Sequence, residues 1–101
     1  MARTLTVARA MVRPEDEAAY RSLLAARGAA ARRRGARFWV FRNQFVAGAF
    51  LEFTETADGT AAARNTEELR LEGRMRELAA YSPDAEELWE ELPLPAEQSL
   101  P

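Results

Sequence analysis

The sequence predicts an α+β fold: an antiparallel sheet with helices on one face, in the order strand, helix, strand, strand, helix, then a short C-terminal helix. Three observations predict it. Hydrophobic spacing switches between a period of two and a period near 3.6 along the chain. The strongest β-forming stretch is a pair of aromatic runs split by a turn. At 101 residues, the chain fits one domain built on one core.

Residues Thr4 to Val12 alternate and carry β-formers at Thr4, Thr6, Val7 and Val12, with Pro14 ending the run, so they read as the first strand. Pro14 then opens a helix. Glu15, Asp16 and Glu17 crowd its first turn and Arg32, Arg33 and Arg34 its last, ahead of Gly35, so both ends suit the helix dipole. Its apolar face holds Ala19, Tyr20, Leu23, Leu24, Ala26, Ala30 and Ala31. Two strands follow: one contains Phe38-Trp39-Val40-Phe41, the other runs from Val46 to Phe53, and turn-prone Asn43 lies between them. A hairpin turning at Asn43-Gln44 sets Val40 opposite Ala47 and Phe38 opposite Ala49. Asp58 and Gly59 mark a loop. A second helix is expected over Thr66 to Tyr81, with Asn65 and Glu68 at capping-box spacing and Leu71, Met75, Leu78 and Ala79 on one face. Ser82-Pro83-Asp84 has the form of a helix start, which predicts a short third helix with Leu88, Trp89 and Leu92 on its apolar side and Pro93 as its stop. The domain is thus expected over residues 1–93, with 94–101 an extended tail.

The hairpin decides the architecture. In that register one face carries Phe38, Val40, Ala47, Ala49, Leu51 and Phe53; the other carries Arg37, Trp39, Phe41, Val46, Gly48, Phe50 and Glu52. Both are apolar, whereas a sheet with one wet side alternates apolar with polar. Two helices cover one face only, so Trp39, Phe41, Val46 and Phe50 need a second cover: the third helix, a ligand or a second copy of the chain. The second copy covers most area. An unpaired first strand also needs protection at its edge.

The order of elements is that of a ferredoxin-like split βαβ unit, with no fourth strand evident in the sequence. With the strand Thr4 to Val12, the helix from Pro14 and the hairpin "RFWVFRNQFVAGAFLEFTE", residues 3–81 resemble the dimeric α+β barrel superfamily, which includes antibiotic-biosynthesis-monooxygenase-like and NIPSNAP-like small proteins. The resemblance is one of pattern and size. It implies two sheets paired face to face, and a range of activities from cofactor-independent oxygenases to proteins without a known reaction.

Composition excludes much chemistry. The chain has no cysteine and no histidine, which removes disulfides, thiolate nucleophiles, imidazole bases, Ser-His-Asp triads and nearly every zinc site. No metal or cofactor is expected. No apolar stretch approaches the roughly 20 residues of a membrane-spanning helix, and Met1 to Arg13 lacks the apolar core of a secretory signal, so a cytoplasmic location is expected. Net charge is −2, yet residues 1–50 carry +7 and residues 51–101 carry −9. Such asymmetry suits an RNA-binding ferredoxin-like module, but opposite charges on one small domain can equally neutralise each other, and the acidic second half argues against nucleic acid.

The candidate cavity residues are Arg9, Tyr20, Trp39, Phe41, Phe50 and Glu52. Arg9 interrupts an apolar layer and suits an anionic or carbonyl group, or a structural pair with Glu52. Trp39 and Phe41 suit stacking on an aromatic ligand, or packing against a partner sheet. Tyr20 suits proton donation, or simple core packing. Asn43 reads as a turn residue, the run Arg32–Arg34 as a helix C-terminus, and Glu86, Glu87, Glu90 and Glu91 as a solvated face. The expectation is a homodimer holding a small apolar or aromatic ligand between its sheets. The alternatives are a cofactor-independent monooxygenase and an RNA-binding module.

Overall fold

The computed structural model describes residues 2–95. Strand β1 (Thr4–Val12) leads through a single 3-10 turn (Pro14–Asp16) into helix α1 (Glu17–Arg33). Strands β2 (Arg37–Arg42) and β3 (Ala49–Thr56), helix α2 (Thr66–Leu78) and strand β4 (Ala79–Glu90) follow. The four strands form one antiparallel sheet in the order β2-β3-β1-β4. This completes the split βαβ unit, and both helices lie on one side of it.

The helix ends behave as their residues dictate. At the end of α1, Gly35 takes φ +80, its N–H donates to the Arg32 carbonyl, and the Ala36 N–H reaches back to the Ala31 carbonyl. These two bonds are a Schellman motif, which needs a residue free to adopt the left-handed conformation. At the start of α2, the Asn65 side chain accepts from the Glu68 N–H at 2.8 Å, and the Glu68 carboxylate accepts from the Asn65 N–H at 3.0 Å. That is the expected capping box.

Three expectations need correction. The third helix is absent: residues 79–90 are β4, which pairs along β1 from Thr4↔Glu90 to Val12↔Ala79, and α2 stops at Leu78 rather than Tyr81. Ser82-Pro83-Asp84 carries a local helix-start signal, but pairing the open edge of β1 outweighs it. Proline is tolerated there because the ladder is broken: Ala8 opposes Glu86 while Ala10 opposes Tyr81, so the extra residues of β4 bulge between them. The second correction concerns register. Val40 faces Glu52 and Phe38 faces Thr54, five residues beyond the tight-turn pairing, and an odd displacement sends every side chain of β3 to the opposite face. The longer connection is built by Asn43, whose side chain accepts from the N–H groups of Phe45 and Val46. It closes at Gly48, with φ +81 and its carbonyl accepting from Val12 N–H at 2.8 Å. The third correction is Trp89, which pairs beside Leu5 on the open side of the sheet and so enlarges the uncovered face instead of sheltering it. Of the expected tail, residues 96–101 lie outside the described residues.

In the observed register Ala10, Val12 and Phe50 face the helices and pack with Tyr20, Leu23 and Ala30 of α1 and Leu71 and Met75 of α2. The other face carries Trp39, Phe41, Leu51 and Phe53, with Leu5, Val7 and Met11 beside them. Trp39 stacks on Phe53 at 5.9 Å between ring centroids, and Phe41 meets Phe53 edge-on at 5.4 Å. Among the described residues no helix covers this face. The charge asymmetry is absorbed within the chain: Arg3, Arg9, Arg27, Arg34 and Arg37 of the basic half pair with Glu55, Glu68, Glu72, Glu87 and Glu91 of the acidic half. Among the described residues no helix is long and apolar enough to cross a membrane.

Candidate functional site

The register that fixes the faces of the sheet also divides the six candidate residues. Tyr20, Phe50 and Glu52 lie between sheet and helices; Arg9, Trp39 and Phe41 lie on the open face. No one cavity holds all six, although Arg9, Phe41 and Phe50 line one together.

On the covered side, Glu52 projects from the middle of β3 and is 8% exposed. A carboxylate so placed needs donors. Tyr20, from the first turn of α1, donates to its Oε2 at 2.7 Å, and Tyr81, from β4, donates to the same oxygen at 2.6 Å. Burial raises the Glu52 carboxyl above the ordinary carboxylate range, and the hydroxyls of Tyr81 and Tyr20 and the Arg27 charge only partly offset it. Both phenols are driven far above the usual tyrosine value, first by burial and then by the neighbouring carboxylate. Tyr81 escapes the sequence pattern because the helical period of α2 runs on to it, whereas in the structure it belongs to β4. The period-two position that it occupies in β4 becomes visible only once that segment is a strand.

Beside Glu52 lies a small polar cavity of about 50 Å³, reached by Thr6, Thr54, Arg27, Arg64, Glu72 and Tyr81. Charge converges on its walls. Arg27 is buried in the apolar stripe of α1, with its guanidinium 4.8 Å from the Phe38 ring centroid, and donates to Glu68 at 2.5 Å. Glu68 is fully buried and also receives Arg34. Arg27 further approaches Glu72 at 3.4 Å, and Arg64 pairs with both Glu72 and Glu86. Arg27 was missed because an arginine at helix mid-length is ordinarily a solvated one.

On the open side a second cavity, about 440 Å³, is lined by Arg9, Met11, Phe41, Asn43, Phe50, Leu51 and Tyr81. Its walls are mainly apolar, and its size lies in the range of small-ligand sites. Arg9 is mostly exposed and pairs with Glu87 at 3.7 Å rather than with Glu52. Trp39 lies outside this cavity. Asn43 acts as the turn residue while lining it.

No family model and no curated protein matches the chain. Solved structures do match over nearly its full length. SnoaB, a cofactor-independent oxygenase from Streptomyces nogalater, is 19% identical with a TM-score of 0.67, covering 100% of this chain and 99% of that one. Rv0793 from Mycobacterium tuberculosis is 20% identical with a TM-score of 0.68, covering 94% and 98%. A candidate antibiotic biosynthesis monooxygenase from Caulobacter crescentus is 14% identical with a TM-score of 0.76, covering 91% and 92%. The chain therefore has the fold of antibiotic-biosynthesis-monooxygenase-like proteins, as the resemblance of its strand, helix and hairpin implies. Identities at this level establish architecture and leave the chemistry to this chain's own residues.

Proposed function

We propose that the protein is a homodimer, paired through the open faces of its sheets, that binds a small apolar or aromatic ligand in the 440 Å³ cavity on that face. The carrying observation is the continuous apolar surface of Trp39, Phe41, Leu51, Phe53 and Met11, which the chain's own helices leave uncovered. At roughly 25 cal/mol per Å², burying three aromatic rings there contributes on the order of 10 kcal/mol before entropy is subtracted. The cavity opens on this surface, so a second sheet would roof it. Its Phe41 ring suits a flat ligand, and Arg9 at the rim suits a polar substituent. The arginines flanking the face are paired, Arg9 with Glu87 and Arg37 with Glu55, which disfavours an RNA platform. A second reading, a cofactor-independent monooxygenase, draws on the Glu52 carboxyl clasped by two tyrosines and on the activity named for SnoaB.

Light scattering tests the pairing: a mass near twice 11.3 kDa at micromolar concentration is expected, and a monomeric mass refutes it. Titration with 1-naphthol, followed by tryptophan fluorescence, tests the cavity. Saturable binding that Phe41→Ala weakens about tenfold, in keeping with the loss of one aromatic wall, is expected. Oxygen uptake on adding an aromatic polyphenol separates the second reading from the first, because simple binding consumes none.

A further inference from the structure

The outer flank of the molecule carries a third cavity, away from both the Glu52 cluster and the open face. The strand order leaves β2 at one edge of the sheet. Between that strand and the outer side of α1 lies a groove of about 520 Å³, within the range of small-ligand sites. Its floor is apolar, made by Leu24, Ala25 and Gly28 of α1 with Phe38 and Val40 of β2. At Gly28 a Cβ would stand 3.4 Å from both the Phe38 ring and the Arg32 guanidinium. Arg32 therefore folds back along the helix over this floor, in the direction that helical side chains lean. Arg21 and Arg42 stand on the walls with it.

Most arginines of this chain are paired with a carboxylate, whereas Arg21, Arg32 and Arg42 have no such partner among the described residues. Glu17 also lines the groove and pairs with none of them, so three cations stand against one acid. We propose that this groove binds an amphiphilic carboxylate, with its apolar body along the floor and its charged end held by the arginines. A guanidinium fork matches a carboxylate through two parallel hydrogen bonds. The two requirements act together: a neutral apolar ligand would leave the arginines without an anion, and a small inorganic anion would leave the floor wet. The helix from Arg21 to Arg32 runs roughly 16 Å at about 1.5 Å per residue, which suits an elongated body. The inference goes beyond the open-face reading and needs neither the dimer nor the 440 Å³ cavity. Arg42 borders both cavities, while Arg21, Ala25 and Arg32 border the groove and not the cavity on the open face.

The test is calorimetric titration of the full chain with octanoate and with its neutral counterpart, 1-octanol. Octanoate is expected to bind at one site per chain, and 1-octanol at least tenfold more weakly. Arg21→Ala and Arg32→Ala should each weaken octanoate about tenfold or more, as expected for losing a hydrogen bond to a charged group, and leave 1-octanol unchanged. Ala25→Trp should abolish binding of both by filling the floor. Residues 21, 25 and 32 are exposed, so these variants are expected to keep the wild-type circular dichroism spectrum. Phe41→Ala, which alters the open-face cavity alone, should bind octanoate as the wild type does, whether or not the open face takes a ligand of its own. Equal affinity for octanoate and 1-octanol, or undiminished octanoate binding in the Arg21→Ala, Arg32→Ala double variant, overturns the proposal. Loss of octanoate binding in Phe41→Ala also overturns it, by placing the carboxylate on the open face.

Discussion

Arg27 sits on the stripe of α1 that otherwise carries Tyr20, Leu23, Ala30 and Ala31, and it is 3% exposed. Burial lowers its affinity for its proton, and Glu72 and Glu68 only partly offset that. Removing one partner of such a pair strands the other, so Arg27→Ala is expected to cost about 3–5 kcal/mol in urea denaturation, a large part of the 5–15 kcal/mol typical of a domain. The two buried glutamates respond to pH with opposite signs. Burial pushes Glu68 upward, but Arg34, the Asn65 N–H and Arg27 outweigh it and hold its carboxyl below the ordinary range. Its folded pKa is depressed, so its stabilisation is present above about pH 4.5 and lost as pH falls through the folded value. Glu52 is raised, chiefly by burial. From about pH 4.5 upward the folded state holds a proton that the unfolded chain has released, so stability declines as pH rises towards its folded value. Denaturation across pH should therefore show Glu68→Gln removing part of the acid-side loss and Glu52→Gln removing part of the decline above pH 4.5. Identical pH curves for the two variants would contradict this assignment.

Among the elements, the β2–β3 connection has the narrowest tolerance. A Cβ on Gly48 would stand 2.4 Å from the Val12 carbonyl oxygen at φ +81, whereas one on Gly59, also at φ +81, meets nothing within 4 Å. Gly59→Ala should cost about 1–2 kcal/mol from backbone strain alone. Gly48→Ala should cost more, because β1 or β3 must also shift, and thermal denaturation of the two variants side by side measures the difference. The elements that were legible in the sequence are those whose signals are local: β1, the dipole-matched ends of α1, the two aromatic strands and the capping box. What escaped depended on distant partners. Ser82-Pro83 reads as a helix start until β1 needs an edge partner. The register of β3 turned on whether Asn43 made a tight turn or capped a longer one. The site shares that dependence: a tight turn at Asn43 would set Glu52 beside Trp39, whereas the observed register, displaced by five residues, sets it on the helix side beside Tyr20.

At the scale of the whole molecule the two faces of the sheet make opposite demands, and substitutions can separate them. Phe50, on the covered face, is 7% exposed and packs 5.0 Å from the Tyr20 ring, so Phe50→Ala should cost about 3–5 kcal/mol of folding stability whatever the assembly. Phe53 stands at the centre of the open face between Trp39 and Phe41. Were the protein monomeric, placing a charge there would cost folding little, because solvent already reaches the position. In a dimer formed through this face the same change buries an unpaired carboxylate against the partner sheet, a penalty of about 2–4 kcal/mol that raises the dissociation constant roughly 30- to 1,000-fold. Phe53→Glu is therefore expected to give a chain of monomeric mass with native circular dichroism, and the Trp39 and Trp89 emission should shift to the red as the face becomes wet. Equilibrium sedimentation of wild type and variant at matched concentrations checks it. A variant that keeps the wild-type dimer mass would place the interface elsewhere and leave the aromatic face without the cover argued for it.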